Sequence, residues 1–226
     1  MEEATQDDSA AMLARIRIEI SAAAKLAARS PRDIELIAVS KTRQVSEIRP
    51  LLTAGQRHFG ENRVQEAVGK WPELLVEFPD AQLHLIGQLQ SNKADEAVAL
   101  FDVIHSLDRM SLVGALGKAM AAQGKAVPCF IQVNIGDEDQ KGGCAIADVA
   151  QLIDAAKTAA IPIAGLMCLP PAEIEPAPYF ALLAKIAARS GLLGLSMGMS
   201  DDFATAIMLG ATHIRLGTAL FGPRQV

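Results

Sequence analysis

The sequence is poor in cysteine and in aromatic residues. Only three cysteines occur among the 226 residues, and aromatic residues make up 4% of the chain. Cys129, Cys144 and Cys168 are far apart and form no C-x-x-C pattern, so the sequence indicates neither a disulfide framework nor a zinc site. We expect all three to be small buried hydrophobic residues, and we assign no metal site.

Clusters of basic residues and long apolar runs are also missing. The 21 basic residues are outnumbered by 26 acidic ones, and no apolar run approaches the roughly 18 residues of a membrane span. These features argue against binding to nucleic acid or to a membrane. The first eight residues are acidic and polar, unlike a signal or transit peptide, which predicts a cytoplasmic protein.

The chain does contain enough apolar material for one core. Half of the residues are hydrophobic, and the composition does not change abruptly along the chain. A chain of this length typically forms one domain. We therefore predict a single domain over residues 1–226, in which residues 1–8 are flexible.

The spacing of apolar residues predicts alternating helices and strands. Between residues 9 and 28 they recur every three or four positions, as in a helix with one buried face. Eight short β-rich runs follow, at 34–41, 58–62, 83–87, 103–108, 129–135, 163–169, 194–200 and 213–221. Helical spacing between them predicts helices that include 45–54, 64–76, 109–123, 146–159 and 179–189.

This alternation predicts the fold class. Each connection between parallel strands needs a crossover helix, and eight strand–helix units are what a closed parallel barrel requires. We predict an α/β protein, a single (β/α)8 TIM barrel with an extra N-terminal helix. An open doubly wound sheet is the alternative. That fold usually has a glycine-rich phosphate turn after its first strand, where this chain has Ser40, Lys41, Thr42 and Arg43.

The carboxyl ends of the strands are where a barrel of this kind carries its functional residues. Lys41 ends the first predicted strand. Its amine would lie at the barrel mouth, where partial desolvation favours the neutral form that makes Schiff bases. Considered alone, a lysine at a strand end is typically a solvated surface residue, and the polar residues at the other strand ends favour the functional interpretation. Asn62 ends the second strand, where its amide could contact a ligand or cap the next helix.

The last two strand ends predict a phosphate site. Ser200 follows the seventh strand, and the eighth carries Arg215, Gly217 and Thr218. Hydroxyl groups and accessible backbone N–H groups bind phosphate, and this fold commonly binds phosphate after strands seven and eight. Strand alternation points Arg215 into the barrel. There the guanidinium would need a partner, either a carboxylate or the ring nitrogen of a ligand.

The other titratable residues are given structural roles. Four histidines lie near strand starts, which predicts a place in the core at the bottom of the barrel: His58, His84, His105 and His213. We interpret Glu61 and Glu66 as charges in the first turn of a helix rather than as an acid/base pair. No catalytic residue is assigned.

Six motifs resemble those of the pyridoxal phosphate homeostasis proteins and together span nearly the whole chain. They are AVSK at 38–41, FGENRVQE at 59–66, HLIG at 84–87, LQSNK at 89–93, LSMGMS at 195–200 and RLGTALFG at 215–222. That family is similar in fold to the barrel domain of bacterial alanine racemase. The number and order of the motifs make a chance resemblance untenable.

The resemblance implies a cofactor site. Pyridoxal 5′-phosphate (PLP) is expected as an internal aldimine on Lys41, with Arg215 at the pyridine nitrogen and Asn62 beside the ring. The implied phosphate-binding residues are Ser200, Gly217 and Thr218, and Met197 completes the cofactor-binding set.

The chain departs from the family pattern at the rim of the barrel. Leu83 stands where the family usually has tryptophan, and Gln88 stands where it usually has proline. Gly142, Gly143 and Cys144 replace the commoner Ser-Gly-aliphatic loop after strand five. These differences concern contacts with partners or effectors more than cofactor binding.

The resemblance also implies a carrier rather than an efficient catalyst. An arginine at the pyridine nitrogen disfavours ring protonation and weakens the cofactor as an electron sink. Alanine racemase works despite this because a second domain supplies a tyrosine base, whereas the single tyrosine here, Tyr179, follows strand six.

We expect a monomer that stores PLP and delivers it to PLP-dependent apo-enzymes. The alternatives are a fold-type III amino-acid racemase with Lys41 as its only base, and a barrel that binds sugar phosphates without a cofactor.

Overall fold

Eight parallel strands close into a barrel in the computed structural model, which describes residues 6–222. The strands are β1 (Glu35–Val39), β2 (His58–Glu61), β3 (Gln82–Leu85), β4 (Val103–Leu107), β5 (Cys129–Val133), β6 (Ile163–Cys168), β7 (Gly194–Ser196) and β8 (His213–Leu216). Each strand pairs with the next, and β8 returns to β1, where Ala38 lies beside Leu216. The predicted barrel is confirmed, and this closure excludes the open sheet.

Helices alternate with the strands along the chain. They are α1 (Gln6–Leu26), α2 (Val45–Thr53), α3 (Val64–Glu77), α4 (Ala94–Leu100), α5 (Met110–Gln123), α6 (Val149–Thr158), α7 (Ala177–Arg189), α8 (Phe203–Met208) and α9 (Thr218–Phe221). Burial follows the helical period, because Ala67, Trp71 and Leu74 on one face of α3 are fully buried.

The predicted N-terminal helix is present as α1, which packs against α2, α8 and α9. Its residues Leu13, Ile16 and Ile20 lie in the core. The helix begins at Gln6 rather than at residue 9. The segment predicted to be flexible, 1–8, includes residues 1–5, which lie outside the described residues.

The last two strands are shorter than predicted. The predicted seventh strand continued to residue 200, but β7 ends at Ser196 and the next residues form a loop. The predicted eighth strand continued to Phe221, but β8 ends at Leu216. The backbone N–H groups of Leu220 and Phe221 donate to the carbonyl of Gly217, which turns the chain into α9. At the carboxyl end of the barrel, β7 is therefore followed by a loop and β8 by the short helix α9.

The three cysteines are buried, as predicted. Burial raises the pKa of each thiol to about 12, so they are protonated at neutral pH. Within residues 6–222, no helix has the length and apolar character needed to cross a bilayer. The same residues contain no group of histidine, cysteine and acidic side chains arranged to hold a metal ion.

Candidate functional site

A cavity of about 340 Å³ lies at the carboxyl ends of the strands. Six of the seven predicted site residues line it: Lys41, Asn62, Ser200, Arg215, Gly217 and Thr218. The seventh, Met197, is not among the lining residues. Its side chain is fully buried in the hydrophobic core, and Met199 lines the cavity instead.

Sequence reasoning missed the rest of the cavity wall. The additional lining residues are Val39, Ile86, Leu169, Met199 and Asp201. All lie at or just after the carboxyl end of a strand, so the rule that located Lys41 would have located them too. Four of the five are apolar and carry no chemical signal of their own. They give the cavity the apolar walls that a flat aromatic ligand requires.

The backbone on both sides of Lys41 is held by hydrogen bonds. Ser40 donates its N–H to the carbonyl of Gly60, at 3.0 Å, and its hydroxyl to Glu61 Oε1, at 2.6 Å. Thr42 has a left-handed backbone with φ of 63°, and its N–H donates to Glu66 Oε1 at 2.5 Å. The half-buried Lys41 therefore projects into the cavity from a fixed backbone.

A buried charged network supports this turn. Lys70 Nζ lies 2.8 Å from both Glu61 Oε1 and Glu66 Oε1, and it donates to the carbonyl of Ser40. Trp71 Nε1 donates to Glu61 Oε1 at 2.9 Å. Although partial burial raises the pKa of Glu66, hydrogen bonds from Lys70 and Thr42 hold it below its ordinary value. The network ties the first turn of α3 to the segment that carries Lys41.

The structure corrects the interpretation of Glu61. Glu66 lies in the first turn of α3, as predicted, but Glu61 is the last residue of β2 and is fully buried. Lys70 comes from α3 to pair with its carboxylate in the core. Its second oxygen, Oε2, has no hydrogen-bond partner among the described residues.

Asn62 and the end of β3 come into close contact. The backbone of Asn62 packs directly on Gly87, where a Cβ atom would overlap the Asn62 carbonyl. Glycine at position 87 is therefore required for Asn62 to occupy the wall of the cavity.

Arg215 is a buried cation at the floor of the cavity. Its NH1 group donates to Ser196 Oγ at 2.6 Å, and its NH2 group donates to the carbonyl of Cys168 at 2.9 Å. Burial lowers the pKa of Arg215 from its ordinary value, but arginine stays protonated in proteins. Among the described residues no carboxylate lies within 4 Å of the guanidinium. A structural ion pair is thus not its partner.

The loops after β7 and β8 meet at one wall of the cavity. Ser200 Oγ accepts a hydrogen bond from the backbone N–H of Ala219 at 3.3 Å. Gly198 has φ of +97°, and a Cβ there would lie 2.6 Å from the Ala206 side chain. Asp202 accepts the N–H of Met199 at 2.5 Å. These contacts bring Ser200, Gly217 and Thr218 to one wall of the cavity.

The closed barrel that carries Lys41 after β1 and Arg215 in β8 belongs to the alanine racemase class of barrels, as a family match shows. The family model described as the N-terminal domain of alanine racemase matches residues 13–225. Alanine racemase of Clostridium difficile 630 has the same fold, with a TM-score of 0.69 at 14% identity, over 94% of this chain and 57% of that one. This distant likeness concerns the fold alone.

Within that class, more similar proteins define a narrower group. The pyridoxal phosphate homeostasis protein of Escherichia coli (strain K12) is 41% identical, over 97% of this chain and 98% of that protein. The structure of PipY from Synechococcus elongatus with PLP bound is 40% identical, with a TM-score of 0.80, over 90% of this chain and 100% of that one. The chain belongs to the pyridoxal phosphate homeostasis protein family, as its motifs predicted.

Proposed function

We propose that the chain binds PLP reversibly in the 340 Å³ cavity, as a Schiff base on Lys41, and serves to store and deliver the cofactor. One observation carries this proposal. An amine, an amide, hydroxyl groups and a buried guanidinium without a carboxylate partner among the described residues converge on a single apolar-walled cavity. Family membership supports it, because the related PipY structure has PLP bound.

The residues present fit the cofactor group by group. The Lys41 amine would form a C=N bond with the aldehyde carbon while water leaves. Ile86 and Leu169 offer apolar contacts to the ring, and Asn62 would lie beside it. Ser200, Gly217 and Thr218 would bind the phosphate through hydroxyl and backbone N–H groups. Met197, which lies in the core, would support this loop rather than touch the ligand.

Arg215 would contact the pyridine nitrogen and limit the chemistry. A guanidinium has more N–H donors than the two bonds to Ser196 and Cys168 use, and it has no acceptor. A ring nitrogen that accepts from it stays unprotonated, so the ring withdraws electrons less strongly. This arrangement favours holding the cofactor over converting a substrate.

The position of Tyr179 supports a role without efficient turnover. Tyr179 belongs to α7, packs against the core and is not among the residues that line the cavity. It is therefore not placed to act as a base on the face opposite Lys41. We propose delivery of PLP to apo-enzymes by a cytoplasmic monomer. Sustained racemisation of alanine or serine, with solvent deuterium entering Cα, would contradict this.

The visible absorption spectrum of the purified protein tests cofactor attachment. We expect the native protein with PLP to be yellow, and borohydride to leave the cofactor fixed to Lys41 in a peptide digest. Lys41→Arg keeps the charge but removes the amine, so it should lose the borohydride-stable product. Lys93→Arg, on a surface ion pair, is the matched control and should retain it. A native protein that stays colourless with added PLP would leave only a phosphate-binding barrel.

A further inference from the structure

A continuous chain of hydrogen bonds crosses the interior of the barrel. Its members, in order, are Arg215, Ser196, His105, His84, His58 and Glu35. The successive distances between the bonded atoms are 2.6, 2.9, 2.9, 3.0 and 2.8 Å. We call these six residues the core chain. It is not explained by cofactor contact, because only Arg215 lines the cofactor cavity.

The core chain joins the two ends of the barrel. Ser196, His84 and His105 are buried, and the His105 ring stacks on Phe130 with 4.5 Å between centroids. Glu35 is the first residue of β1 and is partly exposed. It lies with His58 in a separate cavity of about 320 Å³ at the amino ends of the strands. The core chain therefore runs from the cavity that Arg215 lines to the cavity at the amino ends of the strands, where Glu35 and His58 lie.

The chemistry of the two ends determines the direction of every hydrogen bond. Arginine can only donate, so Ser196 Oγ accepts from Arg215. The Ser196 O–H then needs an acceptor, and among the described residues His105 Nδ1 is the one within hydrogen-bond distance. A neutral histidine that accepts at Nδ1 donates from Nε2. His105 therefore donates to His84 Nδ1, and His84 donates to His58 Nδ1. His58 then donates from Nε2 to the Glu35 carboxylate, which can only accept.

This pattern leaves no donor facing a donor and no acceptor facing an acceptor. It holds only if His84 and His105 are neutral, because an extra proton on either ring would make two N–H groups face each other. Burial and the nearby charges of other histidines lower the pKa of His84 and His105 well below the ordinary value. The other titratable groups around the core chain are Cys168 and Asp202 near Arg215, His213, whose ring lies 5.8 Å from that of His105, and the arginines of the lower cavity, Arg17, Arg32 and Arg57.

We propose that Ser196, His105, His84 and His58 are positioning residues for Arg215, held as one directional chain in which each histidine carries its proton on Nε2. The chain presents a fixed hydroxyl acceptor to the guanidinium and so orients its remaining N–H groups toward the cofactor cavity. The effect on the cofactor rests on the proposed function. The direction of the chain does not.

Ring ¹⁵N chemical shifts of the histidines in the full-length protein without cofactor test the direction. At neutral pH we expect His84 and His105 to be neutral with Nε2 protonated. An Nδ1–H tautomer or an imidazolium at His84 or His105 would overturn the proposal. This measurement needs no variant, so it does not depend on whether any substitution folds.

Two isosteric variants test the role of the hydroxyl. Ser196→Thr keeps the hydroxyl, whereas Ser196→Val replaces it with a methyl group of the same size. In Ser196→Val, relative to Ser196→Thr, we expect His105 no longer to be held in the Nε2–H tautomer. We also expect PLP binding to be about tenfold weaker, since a hydrogen bond to a charged group is lost. Equal tautomers and equal affinities in the two variants would overturn the proposal.

The exposed end provides the matched control. In Glu35→Ala the direction is still imposed by Arg215, so the Nε2–H tautomers of His84 and His105 should persist. Loss of those tautomers would show that Glu35, and not Arg215, directs the chain, and would overturn the proposal. Should the native protein show the expected tautomers yet bind no PLP, the core chain would stand and the proposed function would fail.

Discussion

At the scale of single residues, Lys70 stabilises the fold because it pairs with a fully buried carboxylate. Its ammonium group lies 2.8 Å from Glu61, and the two side chains are 9% and 0% exposed. Lys70→Met would leave the Glu61 charge buried without a cation, and we expect the free energy of unfolding to fall by about 3 kcal/mol. Urea denaturation at neutral pH measures this loss.

The surface pair of Lys93 and Glu96 is the matched control. These side chains are 2.7 Å apart and are 28% and 45% exposed, far more than those of Lys70 and Glu61. Lys93→Met should cost less than about 1 kcal/mol. If the two lysine variants lost the same free energy of unfolding, Lys70 would not be pairing with a buried charge, and the role assigned to it would be wrong.

A second effect at this scale concerns Gln88 and Gly142, whose residue types depend on each other. Gln88 donates to Gln132 Oε1 at 2.6 Å, and Gln132 donates to the carbonyl of Gly142 at 2.9 Å. A Cβ atom at position 142 would overlap the Gln88 side chain. The glutamine at 88 therefore requires a glycine at 142.

A double-mutant cycle checks this dependence. Gly142→Ala alone should lower the free energy of unfolding by about 1 kcal/mol, since Gln88 must leave its hydrogen bond. In the Gln88→Ala background the same change should cost less, with a coupling of at least about 0.5 kcal/mol. Additive losses would show that the two positions are independent.

At the scale of elements, the ends of β2 and β3 are joined through Gly87. Gly87→Ala would force the new methyl group against the backbone of Asn62, which cannot move away as a flexible side chain could. We expect a loss of about 2–3 kcal/mol in the free energy of unfolding and weaker PLP binding, because Asn62 lines the cavity. Denaturation and a PLP titration measure the two effects.

Gly69 in α3 is the control for a glycine without such a contact. Nothing lies within 4 Å of a Cβ at this position. Gly69→Ala should stabilise the protein by about 0.5–1 kcal/mol, since alanine is the better helix former. If both alanines stabilised the protein, the close approach of β2 and β3 would be refuted.

For the whole molecule, the buried histidines predict how stability depends on pH. Burial lowers the pKa of His213 from its ordinary 6.5 to about 4, and it lowers the pKa of His84 and His105 as well. Because the folded values lie below the unfolded ones, the unfolded chain binds these protons first as the pH falls. Stability is therefore retained above pH 6.5 and is lost progressively below it.

The expected slope is up to about 1.4 kcal/mol per pH unit for each such histidine. Urea midpoints at pH 7.5, 6.5 and 5.5 measure it, in a range above the titration of Glu35 and Glu66, whose pKa values are lowered. His213→Gln should reduce the slope between pH 6.5 and 5.5. An unchanged slope in this variant, or a flat profile in the native protein, would contradict the assignment.

Most of the fold and of the site could be predicted from local sequence patterns. The alternation of apolar runs located the eight strands. Lys41 and Asn62 were located because functional residues of a barrel lie at the carboxyl ends of its strands, and Arg215 because side chains alternate along the last strand. The predictions failed where hydrogen bonds between neighbouring residues compete with strand pairing. The segment after Leu216 has the composition of a strand but forms α9, because its N–H groups find an acceptor in Gly217.

By itself the sequence determined the barrel class, the family and six of the residues that line the cavity at the carboxyl ends of the strands, because these depend on periodicity and on motifs that can be read along the chain. Only the tertiary structure decided which residues support that cavity. His105 and Ser196 are 91 positions apart, and their contact depends on how the closed barrel staggers its strands. The same holds for Glu61, whose charge is tolerated only because α3 brings Lys70 to it. Such pairings across the core follow from the packing of whole elements, which no local pattern contains.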